Sequence, residues 1–238
     1  MSLNIRKRRD LTIVEMQQNC IVIACDSCGA IGEKENDVLK VETSTVGAFS
    51  TRVVLMEVLA TGAKLVSVSN TVCNEMDITG EKIIKGISQE LKKANIKVEV
   101  LNGSTEENFP TSMTAVGVTA IGIADKSKLK FTTCKKNDLI IQVGMPKCGA
   151  EVILENDKIA SYDDVYSLLQ AREVREIVPV GSRGIKYEVE LLANLHQLSF
   201  VAVDEDLELL KSAGPATCVI AAVSPDYVSS HKVIGRFV

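Results

Sequence analysis

A chain of 238 residues with 46% hydrophobic residues and only five prolines can bury a substantial core, as one large domain or two modest ones, which excludes a disordered protein. Its formal charge of -4, from 27 basic and 31 acidic residues, leaves no electrostatic footprint for nucleic acid. No segment approaches the ~20 apolar residues that span a bilayer, and no apolar secretory leader opens the chain, so a cytoplasmic location is expected. Seven cysteines, at 20, 25, 28, 73, 134, 148 and 218, then read as reduced thiols.

In chain order, the basic cluster "RKRRD" at Arg6–Asp10 reads as a solvated tail without interleaved aromatics. Cys20–Cys25 is an apolar strand that breaks at Asp26 into "SCGAIGEKEND". Val46–Thr61 carries Val54, Leu55, Val58 and Leu59 on a buried helix face and stops at Gly62, a favourable terminator. Lys64–Val72 alternates Leu65, Val66 and Val68 with Ser67 and Ser69, as a strand does. A second helix starts near Thr79, has Glu81 in its first turn, and lines up Ile83, Ile84, Ile87 and Leu91. Lys97–Leu101 is a strand leading into the polar loop Asn102–Ser112, and Met113–Ala124 a long strand. This order predicts an α/β (α+β) layer with both helices on one face.

A change of composition near residue 135 divides the chain into domains 1–135 and 136–238. The second holds a strand at Leu139–Val143 and a helix near Asp163–Ala171. The turn "VGSRG" (Val180–Gly184) then feeds a helix over Ile185–Leu195, with strands at Leu198–Val203, Thr217–Val223 and Val233–Val238.

The C-x-x-C spacing of Cys25 and Cys28 straddles a strand end, with no second pair to complete a zinc site. Asp26 has a different standing, because the C-terminal end of a buried strand is where α/β sheets bind ligands. It has company in Glu33, Glu35 and Asp37 on its own loop, in Glu57 amid apolar helix neighbours, and in Glu106 and Glu107. Carboxylates from three segments converging on one rim would need a hard cation, and magnesium is the candidate. The loop "NGSTEENF" offers amides, hydroxyls and two acids as an anion cradle. Walker and dinucleotide glycine motifs are absent, so nucleotide binding would need a less common fold.

The order of "CDSCG", "MEVLATGA", "NGST", "GVTAIGIA" and "NDLIIQVGMPKCGAE" resembles the superfamily of aminoimidazole ribonucleotide synthetase, thiamine-monophosphate kinase and selenophosphate synthetase. The resemblance implies a two-domain fold whose N-terminal sheets pair into a barrel in a homodimer. It also implies ATP and Mg2+ as cofactors, with Asp26, Glu57 and Glu106 as metal ligands and Gly29, Asn102, Gly103, Ser104 and Thr105 around the nucleotide. Ser104 stands where the family has an acid. Within the superfamily, "AIGEKENDVLKV", "TVCNEM", "GSTEENFPTSMTAVGVT", "REIVPVGSRGIKYE" and "KSAGPAT" resemble the α-ribazole kinases. The implied activity is an ATP-dependent phosphotransferase acting on a small nucleoside, with no nucleic-acid or membrane partner. Lys34 would then offset γ-phosphate charge, Asp37 would orient or deprotonate the accepting hydroxyl, and Arg183 would hold a phosphate or the substrate. The alternatives are another reaction of the superfamily, such as thiamine-monophosphate phosphorylation or ring closure, and a non-catalytic nucleotide-binding dimer.

Overall fold

The computed structural model describes residues 3–152, 158–204 and 208–238. The chain forms two compact units, Met1–Val58 with Ala63–Lys126, and Leu59–Gly62 with Ser127–Val238.

The first unit is built on a six-stranded sheet in the order β1-β2-β3-β8-β6-β7. Its strands are β1 (Asn4–Arg8), β2 (Leu11–Met16), β3 (Asn19–Gly29), β6 (Lys64–Val72), β7 (Leu101–Thr105) and β8 (Ala115–Asp125). A two-stranded parallel pair, β4 (Ile31–Gly32) and β5 (Leu39–Lys40), sits on the connection after β3. The sheet is open, with β1 and β7 at its edges, and is antiparallel except for the β6–β7 pair.

Period-two burial decides which face the helices cover. Cys20, Val22 and Ala24 on β3, with Val116, Val118 and Ala120 on β8, are buried, whereas Ile21, Ile23, Thr119 and Ile121 are half-exposed. Helix α1 (Thr43–Ala60) packs Val58 over Gly122 of this buried face. Helix α2 (Glu81–Lys93) buries Ile83, Ile87 and Leu91 at a spacing of one turn, with Glu81 in its first turn and Lys92 and Lys93 in its last. The two helices touch backbone to backbone where Gly86 meets the Ser44 carbonyl and Gly47 meets Ile83. Arg52 and Glu90 add a buried ion pair between them at 3.6 Å.

Three expectations change here. The basic cluster is an edge strand, because β1 pairs with β2 from Asn4↔Glu15 to Arg8↔Leu11, and Arg9 in the turn is drawn into the interior. Strand β3 does not stop at Cys25; its ladder with β8 continues to Gly29↔Ala115, so Asp26 lies inside a strand. "NGST" is edge strand β7 rather than loop, while Val98–Val100 is a single 3-10 turn.

The second unit is an antiparallel sheet in the order β10-β12-β9-β13-β11, built from β9 (Leu139–Val143), β10 (Val174–Pro179), β11 (Phe200–Ala202), β12 (Val219–Val223) and β13 (Lys232–Phe237). Strand β12, "VIAAV", is buried along its whole length. Helix α3 (Tyr162–Gln170) starts with a reciprocal cap in which the Ser161 hydroxyl accepts from the Asp164 amide and Asp164 accepts from the Ser161 amide. Helix α4 (Gly184–Leu195) packs Ile185, Val189 and Leu192 with Val178, Ile220, Ile234 and Phe237. Among the described residues no helix is long and apolar enough to cross a membrane.

Candidate functional site

The strand register places Asp26, Val118, Asn70 and Gly103 in one row across β3, β8, β6 and β7, all on the face that the helices cover. Asp26 is half-buried, and burial, with the Asp10 charge adding to it, raises its carboxyl above the ordinary value despite a backbone hydrogen bond at Ser27. Cys25 and Cys28, three residues apart on one strand, point to opposite faces of the sheet, so they neither chelate nor bridge. Burial, reinforced by the charges of Asp26 and Asp37, pushes the Cys28 thiol up, the opposite of what a reactive thiol needs.

Three motifs separated in sequence meet around Lys34. Its ammonium donates to Glu75 Oε1 at 2.5 Å and to the Thr111 carbonyl at 2.8 Å. Glu75 also accepts from the Thr79 hydroxyl at 3.1 Å and from the Thr111 hydroxyl at 3.0 Å. The hydrogen bond from Lys34, supported by those hydroxyls, holds the Glu75 carboxyl at about 2. Asn74, fully buried, donates to Thr111 Oγ1 at 2.6 Å and to the Met113 carbonyl at 2.7 Å, and accepts from the Ala115 amide at 2.9 Å. "GEKEND", "TVCNEM" and "FPTSMT" are therefore one hydrogen-bonded unit. The chain's reading as isolated segments misses Glu75, Asn74 and Thr111; their signal is polar residues concentrated at a strand end.

Asp37 belongs to the frame of this unit rather than to its chemistry. It is buried, and its carboxylate accepts from the Lys34 amide at 2.8 Å, the Thr114 amide at 2.8 Å and the Thr114 hydroxyl at 2.7 Å. Burial works against ionisation, but these bonds outweigh it and hold the carboxyl below its ordinary value. A carboxylate so engaged fixes a loop; it is not poised to take a proton from an acceptor. Gly32 makes the approach possible, since a Cβ there would lie 2.4 Å from Thr114 Oγ1 and 2.8 Å from Asp37 Oδ2.

The expected magnesium triad is not assembled. Among the described residues no group of three histidine, cysteine or acidic side chains is placed to hold a metal ion. Glu57, on α1, is held by Arg9 at 2.7 Å, with only 3% and 9% of the two side chains exposed. Glu106 caps its own turn by accepting from the Asn108 amide at 2.7 Å, and Glu107 accepts from the Met76 amide and the Thr105 hydroxyl. Glu33 is drawn to Lys82 and to the Thr43 amide at the start of α1, which hold its carboxyl at about 2. Of the three expected ligands Asp26 alone would be left to supply a carboxylate, and a metal ion there would need its remaining ligands from a nucleotide's phosphates.

Of the five residues expected around a nucleotide, four line one pocket and Gly29 lies outside it. Asn102, Gly103, Ser104 and Thr105 line a pocket of about 210 Å³ together with Leu101, Asn70, Met76 and Ile84. Gly29 ends β3 with open space around its Cα, opposite Ala115. In the second unit Arg183 stacks over Tyr187, 4.6 Å from the ring centre, at the start of α4. His196 lies 3.8 Å from the buried Glu176.

No curated protein matches the chain in sequence. Among solved structures it is similar to the thiamine monophosphate kinase from Aquifex aeolicus, with a TM-score of 0.72 and 12% identity over 97% of this chain and 89% of that one. A structure described as AaThiL complexed with AMPPCP and TMP gives a TM-score of 0.69 and 12% identity over 96% of this chain and 84% of that one. The PurL of T. maritima complexed with ADP gives 0.68 and 14% identity over 99% of this chain, which spans 42% of that protein. Identities this low show shared fold. Residues 9–124 match the family model described as AIR synthase related protein, N-terminal domain, and the mixed sheet with its two helices accordingly has the AIR synthase-like fold.

Proposed function

We propose that the chain is an ATP-dependent small-molecule kinase that transfers the γ-phosphoryl group of ATP to the 5′-hydroxyl of α-ribazole, giving α-ribazole 5′-phosphate and ADP. The observation that carries the ATP-dependent reading is the NGST strand lining a pocket, in a fold shared with structures described as complexed with AMPPCP or ADP. The choice of α-ribazole rests on the ordered motifs, of which three prove to be hydrogen-bonded to one another.

Phosphoryl transfer through a loose transition state asks for positioning and charge neutralisation more than for a strong base. Asp26 is the residue that would hold magnesium, which would supply part of that neutralisation. Lys34 is a cation on the connection that follows β3, anchored by Glu75 and Thr111. A homodimer fits the open sheet, whose face opposite the buried one carries the half-exposed Ile21, Ile23 and Ile121 and the exposed Ile123. Light scattering would read a dimer mass if that face packs against a second copy.

The test is an ADP-release panel with α-ribazole, thiamine monophosphate and formylglycinamidine ribonucleotide. Turnover with α-ribazole alone, abolished in Asp26→Ala, is the expected result; turnover with only one of the others replaces the acceptor. A second reading, a non-catalytic nucleotide-binding dimer, is favoured by Ser104 and by the ungathered acids. ATP binding without turnover on any acceptor would select it.

A further inference from the structure

Asn70 is 3% exposed, lines the 210 Å³ pocket, and has an amide only half satisfied. Its Nδ2 donates to the Asn102 carbonyl at 3.1 Å, whereas its Oδ1 is buried with no hydrogen-bond partner. Because the Asn102 carbonyl can only accept, the amide has one allowed orientation, and the group left over is an acceptor. A buried carbonyl oxygen that no protein group donates to is costly, so Asn70 Oδ1 is an acceptor open to the N–H or O–H of a ligand or a water. Gly103 shapes it: a Cβ at that position would fall within 2.5 Å of the Asn70 amide, so only glycine on β7 lets the amide lie against the strand.

The other walls define what brings the donor. Met76, Ile84 and Leu101 are apolar, and Asn102, Ser104 and Thr105 are polar, a combination suited to a ring with apolar faces and a polar edge. Drug-sized ligands occupy ~300–1,000 Å³, so this volume takes one fused ring system and not a whole nucleotide. We infer that the pocket between α2 and β7 is a nucleobase site in which Asn70 Oδ1 accepts the exocyclic amino N–H of adenine. The inference rests on, and deepens, the ATP-using reading. It moves Asn102–Thr105 from the phosphates to the base, which accounts for Ser104, since a base edge needs no metal-binding carboxylate. The base of a ribosylated benzimidazole has no ring or exocyclic N–H to offer, so the pocket suits the base of the phosphoryl donor rather than that of the proposed acceptor.

Calorimetric titration of the full chain with adenosine, purine riboside and a benzimidazole riboside tests this. Adenosine should bind at least about tenfold more tightly than purine riboside, which lacks only the amino group. The ratio should collapse toward one in Asn70→Leu, and Gly103→Ala should weaken adenosine binding; the wild-type ratio stands by itself if either variant fails to fold. Equal affinity for adenosine and purine riboside overturns the inference, as does displacement of adenosine by the benzimidazole riboside at equal concentration, or no nucleoside binding at millimolar concentration. ADP release measured on the same preparation separates the two proposals. Turnover without base discrimination removes the base site alone, and discrimination without turnover removes the kinase alone.

Discussion

Glu57 is the residue on which sequence resemblance and structure diverge most sharply, and a double-mutant cycle decides between them. The Arg9 guanidinium and the Glu57 carboxylate lie 2.7 Å apart with 3% and 9% of their side chains exposed. Their attraction is several kcal/mol at an effective dielectric constant of ~20, offset by the desolvation of both charges. Replacing Glu57 by leucine removes the carboxylate 2.7 Å from a buried guanidinium, at a cost of about 3–5 kcal/mol. That is a large part of the ~5–15 kcal/mol of a folded domain and corresponds to a fall of at least ~1 M in the urea midpoint. Arg9→Met with Glu57→Leu should recover most of the loss, because a buried pair exchanged for apolar side chains is near neutral. Urea titrations of the four proteins, followed by far-ultraviolet circular dichroism, give the coupling. If Glu57→Leu unfolds within about 0.5 kcal/mol of wild type yet loses ATP turnover, the ion-pair account fails and Glu57 is the functional carboxylate that the resemblance implies.

Glu75 makes a pH prediction. Its carboxyl is held at about 2, against an ordinary 4.5, chiefly by Lys34. The stability from that shift is fully present above the ordinary value and is lost as pH falls through the native one. The difference in urea midpoint between wild type and Lys34→Met should therefore be constant above about pH 5 and shrink toward zero near pH 2. Asp26 has the opposite sign, because its carboxyl is raised by burial, so its ionised form destabilises the fold at neutral pH. Asp26→Asn should raise the thermal midpoint at pH 7, with the gain vanishing below the ordinary 3.8, while ADP release falls ~100-fold or more. Gly86→Ala tests the helix contact: helix propensity alone would gain about 1 kcal/mol, but the new Cβ would sit 1.8 Å from the Ser44 carbonyl. A net loss of about 1–3 kcal/mol by urea denaturation is expected, and a gain would mean that α1 and α2 separate freely.

The parts of the fold legible in the sequence are those carried by short-range pattern. The strand Lys64–Val72, the helix ending before Gly62 and the strand Leu139–Val143 follow from alternation, one-turn spacing and turn residues, all contained within each segment. Strand β1 was not legible, because "NIRKR" is charged and gains strand structure only from its ladder to β2. Strand β7 was hidden for a similar reason: an edge strand with glycine and serine has low intrinsic propensity and exists because β6 pairs with it.

The site divides along the same line. Asp26 is legible because a carboxylate ending an apolar run is a local anomaly, but its strand continues three residues further through pairing with β8. Glu57 looked available because its sequence neighbours are apolar, yet burial is what recruits its partner, and Arg9 arrives from 48 residues away. Asn70 was within reach: it stands two residues after the buried Val68 and two before the buried Val72, so alternation alone puts its amide inside. What alternation could not show is that Gly103 lies opposite and Asn102 takes the amide's hydrogen, leaving one acceptor unsatisfied. Individual polar residues in apolar patterns are thus readable as anomalies, while their chemistry depends on which strand is hydrogen-bonded beside them. The same reasoning separates Asp37 from Asp26. Both are acids on one stretch of chain, but three donors close around the first and hold its carboxyl below the ordinary value, whereas burial with a single backbone hydrogen bond leaves the second raised above it.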